Sequence, residues 1–422
     1  MTVFAGTDED TDVRYCEYGR KEEKIMVISK SMETLVAGSS TIRKMFEEGL
    51  EMAERIGKEN VYDFSLGNPS IPAPKKVKEA ILDVVNNDDS LFVHGYMKNA
   101  GYDEVRAAIA DSINERFDMN MNKENIVMTV GAAGGLNCVM RALLNPGDEV
   151  VCFAPFFSEY RSYANNFGGS VVMVPADTEH FQLKLDVVDS YINEKTKAMI
   201  LNSPNNPSGS IYSAETLTKL QEILEKAEKR IGHPIYVISD EPYRELAYDG
   251  NEVPYMPKYI KNCIVGYSFS KSLSLPGERI GYLAIPEQID YYAEMQSAII
   301  VANRCLGFVN APSLMQLVVK ECLNEKADVA AYDRNRKTLY GALTEYGFDC
   351  VYPQGAFYLF MKSPVPDEKE FVNEGKKLGI LMVPASSFGC PGYVRMAYCV
   401  SHDMIEKSLP AFKKLSEIYF GK

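Results

Sequence analysis

Residues 267–279 read YSFSKSLSLPGER, and the apolar, β-forming run CIVGYS (263–268) leads straight into them. Within a few positions the stretch collects the hydroxyls of Ser268 and Ser270, the amine of Lys271 and, beyond Gly277, the guanidinium of Arg279. An isolated lysine is most often a solvated surface charge. Here apolar neighbours on both sides imply partial enclosure, and a desolvated amine beside another cation is shifted toward its free base. A free amine condenses with an aldehyde to an imine, while two serines and the planar fork of an arginine suit a phosphate dianion. The stretch reads as a strand running into a loop for a small molecule that carries both an aldehyde and a phosphate.

The remaining chain sets the bounds. Its 422 residues, 46% hydrophobic and 24% charged, have the composition of a soluble globular protein with room for two domains. A formal net charge of -13 opposes binding to nucleic acid or to an anionic membrane, so a small anionic ligand requires a locally basic pocket. The opening residues, MTVFAGTDEDTDVR, place acids where a secretory signal needs a basic start, and no segment approaches the roughly 18 continuous apolar residues of a membrane span. A cytoplasmic location is expected. The nine cysteines form no C-x-x-C pair and no zinc-like cluster with the four histidines, so neither a disulfide framework nor a metal site is favoured. Residues 1–25 are polar, mixed in charge and without periodicity, which predicts a loose arm.

Taken in order, apolar positions Leu35, Ile42, Met45 and Leu50 permit an amphipathic helix over about 31–55, and DFSLGNPSIPAP (63–74) is extended and turn-rich. Gly67 there suits close approach of backbone to a ligand, and a plain turn glycine accounts for it equally well. Val77, Ala80, Ile81, Val84 and Val85 recur at helical spacing over 75–88. Tyr96 and Gly101 fall in a loop before a helix bearing Val105, Ile109 and Ile113. The strand IVMTV (126–130) enters GAAGG (131–135), where small residues let the N–H groups of Ala132 and Ala133 approach an anion at a helix start, although a tight turn needs small residues on steric grounds alone. EVVCFAP (149–155) precedes Phe156, Phe157 and Tyr160, aromatics of a kind usually found in a core. KAMILNS (197–203) ends in PNNPSG before a helix capped by Ser213. PIYVIS (234–239) delivers Asp240, a carboxylate costly to bury without a cation, with Tyr243 three residues on. Four strands thus end in polar or small groups at Gly131–Ala133, Asn206, Asp240 and Ser268, and parallel α/β sheets bind ligands outside those ends. IGYLAIP (280–286) reads as a returning antiparallel strand. GAFYLFM (355–361), ILMVPAS (380–386) and YVRMAYC (393–399) come next in an α+β layout, where Arg395 either snorkels to the surface or serves a buried anion.

Residues 267–279 resemble the S-x-S-K-x-x-x-x-x-G-x-R block of the aspartate aminotransferase superfamily, fold type I of the enzymes that use pyridoxal 5'-phosphate (PLP). The other motifs occur in that family's order from about residue 60 to the C-terminus. The resemblance implies that Lys271 holds PLP as an imine and shuttles the α-proton, that Ser268, Ser270, Arg279, Ala132 and Ala133 hold its phosphate, and that Phe157 stacks on its ring. It also implies that Asp240 pairs with the pyridinium nitrogen, that Tyr243 and Asn206 bond the phenolic oxygen, that Asn206 and Arg395 receive the substrate carboxylate, and that Gly67 is a further substrate-binding residue. Tyr96 is implied to reach the phosphate of the neighbouring subunit in a homodimer with shared sites.

The same resemblance implies an α/β fold with a mostly parallel central sheet in a large domain, 76–309, and a smaller α+β domain built from 26–75 and 310–422. The implied activity is transfer of an amino group between an α-amino acid and a 2-oxo acid by a ping-pong route, with no nucleic acid, membrane or metal involved. A PLP-dependent C–S lyase or an aminocyclopropane-carboxylate-synthase-like enzyme shares the same site chemistry. A PLP-binding regulator would need a DNA-binding domain, which the acidic arm does not supply. Arg304, before NAPS (310–313), is the candidate for a second substrate carboxylate.

Overall fold

Among the described residues the apolar runs assemble into three sheets. The computed structural model describes residues 27–37 and 41–421; the expected arm, 1–25, lies outside the described residues. Residues 27–37 contain the helix Lys30–Ala37, and residues 41–422 form one compact unit. In chain order the strands are β1 (Tyr62–Asp63), β2 (Ile126–Thr129), β3 (Glu149–Phe153), β4 (Ser170–Val174), β5 (Thr196–Asn202), β6 (Tyr236–Asp240), β7 (Cys263–Ser268), β8 (Gly281–Ala284), β9 (Cys350–Val351), β10 (Tyr358–Lys362), β11 (Ile380–Leu381), β12 (Val383–Pro384) and β13 (Tyr393–Ala397).

Seven strands form the large sheet in the order β2-β8-β7-β6-β5-β3-β4. Neighbours from β7 to β4 pair parallel, whereas β8 is antiparallel to both β7 and β2. Two antiparallel steps restore direction, so β2 runs the same way as β5, β6 and β7, and all four deliver their C-terminal ends to one edge. Every residue of β2, β6 and β7 is buried, as continuous apolar strands covered on both faces require. Gly266 in β7 is necessary for that covering: a Cβ there would lie 2.8 Å from Leu136 Cδ1 on the helix Gly131–Leu143. The helix Ala214–Ile231 starts as anticipated, with Ser213 Oγ accepting from Thr216 N at 3.1 Å and Gly232 closing it in the left-handed region.

The second sheet, β12-β13-β10-β9, is antiparallel throughout, and β1 pairs parallel with β11 as a separate ribbon. Its core gathers Met45, Met52, Phe64, Tyr332, Phe357, Phe371, Tyr398 and Phe412 with Tyr243, Leu246 and Tyr248 from the segment after β6. Backbone bonds tie this region to the large sheet: Gln354 N and Gly355 N both donate to Gly209 O, at 3.0 and 2.9 Å.

Two expectations are corrected. Leu50 and Val85 do not face inward but are 54% exposed, while Met45, Gly49 and Met52 carry the buried face of the helix Thr41–Ile56. Helical period identifies a face without fixing how wide a strip its neighbours cover. The edge strand β4 and the helix Glu159–Asn165 were not anticipated; β4 has one neighbour and is only partly buried, so its sequence lacks a full strand pattern. Among the described residues no helix is long and apolar enough to cross a membrane.

Candidate active site

Lys271 sits on the short helix Phe269–Ser272 that leaves β7, and Ser268 caps it by accepting from Ser270 N at 3.2 Å. The Lys271 amine donates to Gly67 O at 2.8 Å and lies 5.3 Å from the centroid of the Phe357 ring. Burial pulls its pKa down to about 8; the neighbouring Arg279 and Arg395 add to the fall, and the Cys399 thiol works against it. A nucleophilic amine near neutral pH is the chemistry expected from the sequence, and the structure supplies the enclosure that produces it.

Asp240 ends β6 and is 7% exposed. Its Oδ2 accepts from the Tyr160 hydroxyl at 2.6 Å, and its Oδ1 is buried with no hydrogen-bond partner. Burial pushes its pKa up to about 7; the Tyr160 bond opposes the rise and the Glu241 carboxylate adds to it. A buried carboxylate with one oxygen held and the other free is a receptor for a cationic N–H, such as a pyridinium. Asn202 steadies the arrangement, donating to Asp240 O at 2.8 Å while its Oδ1 accepts from Asn206 N at 2.7 Å.

Arg395, in β13, does not snorkel to the surface: it is 2% exposed. Its guanidinium donates from Nη1 to Asn206 Oδ1 at 3.2 Å and from Nη2 to Ser65 O at 2.6 Å, and Nε has no partner. The rings of Tyr358 and Phe388 flank it at 4.6 and 5.0 Å. Among the described residues no carboxylate pairs with it; its polar partners are Asn206 Oδ1 and Ser65 O, and its Nε is buried without one.

The remaining residues occupy the same edge or lie apart. Gly131 opens its helix at φ 65°, and a Cβ there would lie 2.9 Å from Arg279 Nη2, so the missing side chain lets the guanidinium close on the helix start that carries Ala132 and Ala133. Ser268 Oγ donates to Ser270 Oγ at 2.7 Å, and Arg279 is exposed, with Nη1 on Pro276 O at 3.0 Å. Phe157 is half-buried, edge-on to Tyr160 with centroids 5.6 Å apart. The Tyr243 hydroxyl lies 2.9 Å from that of Tyr358. Tyr96 is 93% exposed and Arg304 is exposed at the end of the helix Tyr292–Cys305, so this chain brings neither into the cluster.

Sequence reading missed four contributors. Tyr160 passed as a core aromatic, and nothing local shows that its hydroxyl meets a carboxylate 80 residues on. Ser65, Tyr358 and Cys399 likewise enter through packing; the Cys399 thiol lies 3.8 Å from Leu66 O.

The profile describing aminotransferases of class I and II matches residues 59–412. The chain belongs to that family. A probable aspartate/prephenate aminotransferase of Aquifex aeolicus is 32% identical over 375 residues, spanning 85% of this chain and 91% of its own. The aspartate/prephenate aminotransferase of Thermus thermophilus is 30% identical over 83% of this chain and 89% of its own. An aminotransferase crystal structure from Eubacterium rectale matches with a TM-score of 0.91 at 48% identity, covering 94% of this chain and 100% of that one. An aspartate aminotransferase structure from Thermotoga maritima matches at 0.81 with 27% identity, covering 92% and 99%. The protein is thus an enzyme, an aminotransferase, with the fold its sequence resembles, and its family is generally PLP-dependent.

Proposed function

We propose that this aminotransferase binds PLP through Lys271 and moves an amino group between an α-amino acid and a 2-oxo acid by a ping-pong route. The observation that carries the reading is Asp240 Oδ1, buried and unpartnered at the sheet edge that also presents the desolvated Lys271. When bound, the cofactor supplies an aldehyde carbon for imine formation and a ring that withdraws electrons. Asp240 accepts from the ring nitrogen, and Tyr160 and Asn202 hold that carboxylate in place. Ser268, Ser270, Arg279 and the N–H groups of Ala132 and Ala133 receive the phosphate, Phe157 covers one ring face, and Tyr243 with Asn206 addresses the phenolic oxygen. Arg395 clamps the substrate carboxylate with Asn206, and Gly67 lies among the substrate-binding residues. With a pKa of about 8, Lys271 Nζ can both take and return a proton near neutral pH.

Tyr96 is assigned to the site of a second copy in a homodimer; its 93% exposure, beside Leu91 at 84%, supports a surface that a partner covers. The division into a large domain, 76–309, and a small domain, 26–75 with 310–422, is retained as part of this reading, supported by the separate sheets. A cytoplasmic setting suits the eight described cysteines, all of them free thiols.

Borohydride reduction of the PLP-loaded protein followed by peptide mass analysis should place the label on Lys271; label on another lysine rejects the assignment. A single-turnover screen across the common amino acids should yield one equivalent of 2-oxo acid and the pyridoxamine form. Repeated turnover to pyruvate and ammonia without a second substrate would establish a lyase instead. Mixing Tyr96→Ala with Lys271→Ala subunits should restore part of the activity, and no recovery under demonstrated subunit exchange refutes the shared site.

A further inference from the structure

Beyond Phe64 the chain leaves its pairing, and the next three carbonyls each receive a different site side chain. Ser65 O accepts from Arg395 Nη2 at 2.6 Å, Leu66 O faces the Cys399 thiol at 3.8 Å, and Gly67 O accepts from Lys271 Nζ at 2.8 Å. The segment is fixed just upstream, where Phe64 N donates to Leu381 O at 3.1 Å and Phe64 O accepts from Ala397 N at 2.8 Å. Two residues of backbone therefore join the acceptor of the buried guanidinium to the acceptor of the amine. A Cβ on Gly67 would overlap the Tyr358 hydroxyl, and the ring of that same tyrosine lies against Arg395.

A carboxylate arriving at Arg395 competes with Ser65 O. The bond to Ser65 O has only its donor charged, whereas a carboxylate adds the opposite charge and a bidentate fit to the guanidinium, so the neutral carbonyl is the one displaced. Moving Ser65 O off Nη2 shifts Gly67 O as well, because the tether between them is short and the middle contact is a weak S–H donor. We propose that Ser65–Leu66–Gly67 is a positioning segment that couples the two sites: a carboxylate seated on Arg395 draws the segment away and leaves the Lys271 amine without its carbonyl acceptor. The inference rests on Lys271 being the imine-forming amine and adds how that amine, whenever it is free, is tuned by a carboxylate seated in the site. Losing an acceptor disfavours the ammonium and raises the free-base fraction. The field of the carboxylate by itself does the reverse, since a nearby anion favours the ammonium. The two accounts therefore differ in sign.

The test uses the full-length protein, both stripped of cofactor and loaded with pyridoxamine 5'-phosphate, states in which Lys271 is a free amine. Acetate serves as the carboxylate, a succinimidyl ester as the acylating reagent, and peptide mass spectrometry reads Lys271 at pH 7. Coupling predicts that saturating acetate, with binding followed by calorimetry, speeds acylation of Lys271 by about threefold, the equivalent of half a pKa unit. The acceleration should vanish in Arg395→Gln. In Gly67→Ala, where contact with Tyr358 already displaces the segment, the rate should start high and gain nothing from acetate. Slower or unchanged acylation of the wild-type protein at saturating acetate overturns the proposal, whether or not the Gly67 variant folds. Failure of the cofactor assignment shows separately, as absence of PLP uptake, and leaves the measurement on the stripped protein valid.

Discussion

Tyr160→Phe removes one hydroxyl and, with it, the 2.6 Å bond to Asp240 Oδ2. In the cofactor-free protein that bond lowers the Asp240 pKa against the effect of burial, which leaves it at about 7 rather than 3.8. The native state therefore keeps a proton that the unfolded chain releases above pH 3.8. Stability contributed by this group falls as pH rises through that window and levels off above about 7. A hydrogen bond to a charged acceptor is worth about 1 to 2 kcal/mol more than one to a neutral acceptor, so losing it moves the titration up by about one unit. From about pH 6 to 9 the variant should lose about 1.4 kcal/mol more than the wild-type protein, with about 0.7 kcal/mol of that difference falling between pH 7 and 8. Lys271 titrates near the same range in both proteins and cancels in the difference. Denaturant unfolding of the stripped proteins at intervals from pH 5 to 8.5 measures that difference, and PLP affinity over the same range should begin its acid-side fall about one unit higher in the variant. Stability curves that run parallel across the interval would refute the reasoning, because they would mean the hydroxyl does not favour the ionised carboxylate.

Replacing Arg395 by Ala should cost on the order of 2 to 5 kcal/mol in kcat/KM for amino acids generally, and an unchanged kcat/KM would move the carboxylate clamp elsewhere. Gly131→Ala places a side chain at φ 65° against Arg279 Nη2 and should cost about 1 kcal/mol of stability while weakening inorganic phosphate binding to the stripped protein; full retention of binding would remove the helix start from the phosphate site. Arg244→Met breaks the buried ion pair with Glu241 and leaves its carboxylate without a cationic partner, so a loss of about 3 to 5 kcal/mol is expected in denaturant unfolding, and a near-neutral result would refute the cost of breaking that pair.

What the sequence determined by itself is what local chemistry encodes. Apolar, β-forming runs such as CIVGYS and IYVIS read as strands, and the polar residue ending each reads as lying at the sheet edge where parallel α/β sheets bind ligands. Lys271, Asp240, Asn206 and the 131–133 turn were therefore legible as one cluster before any contact was known. The antiparallel return of β8 was legible for the same reason. Arg395 was visible as an anomaly in an apolar strand, but its burial was not: a long side chain can reach water from such a strand unless neighbours close over it, and Tyr358 and Phe388 do so. The bonds that tune the site were invisible. Tyr160 to Asp240, Lys271 to Gly67 and Arg395 to Ser65 span 80, 204 and 330 residues, and a hydrogen bond is decided within a few tenths of an ångström. Residue type sets which groups seek partners. Only the packing of one sheet against another sets which partner each one meets.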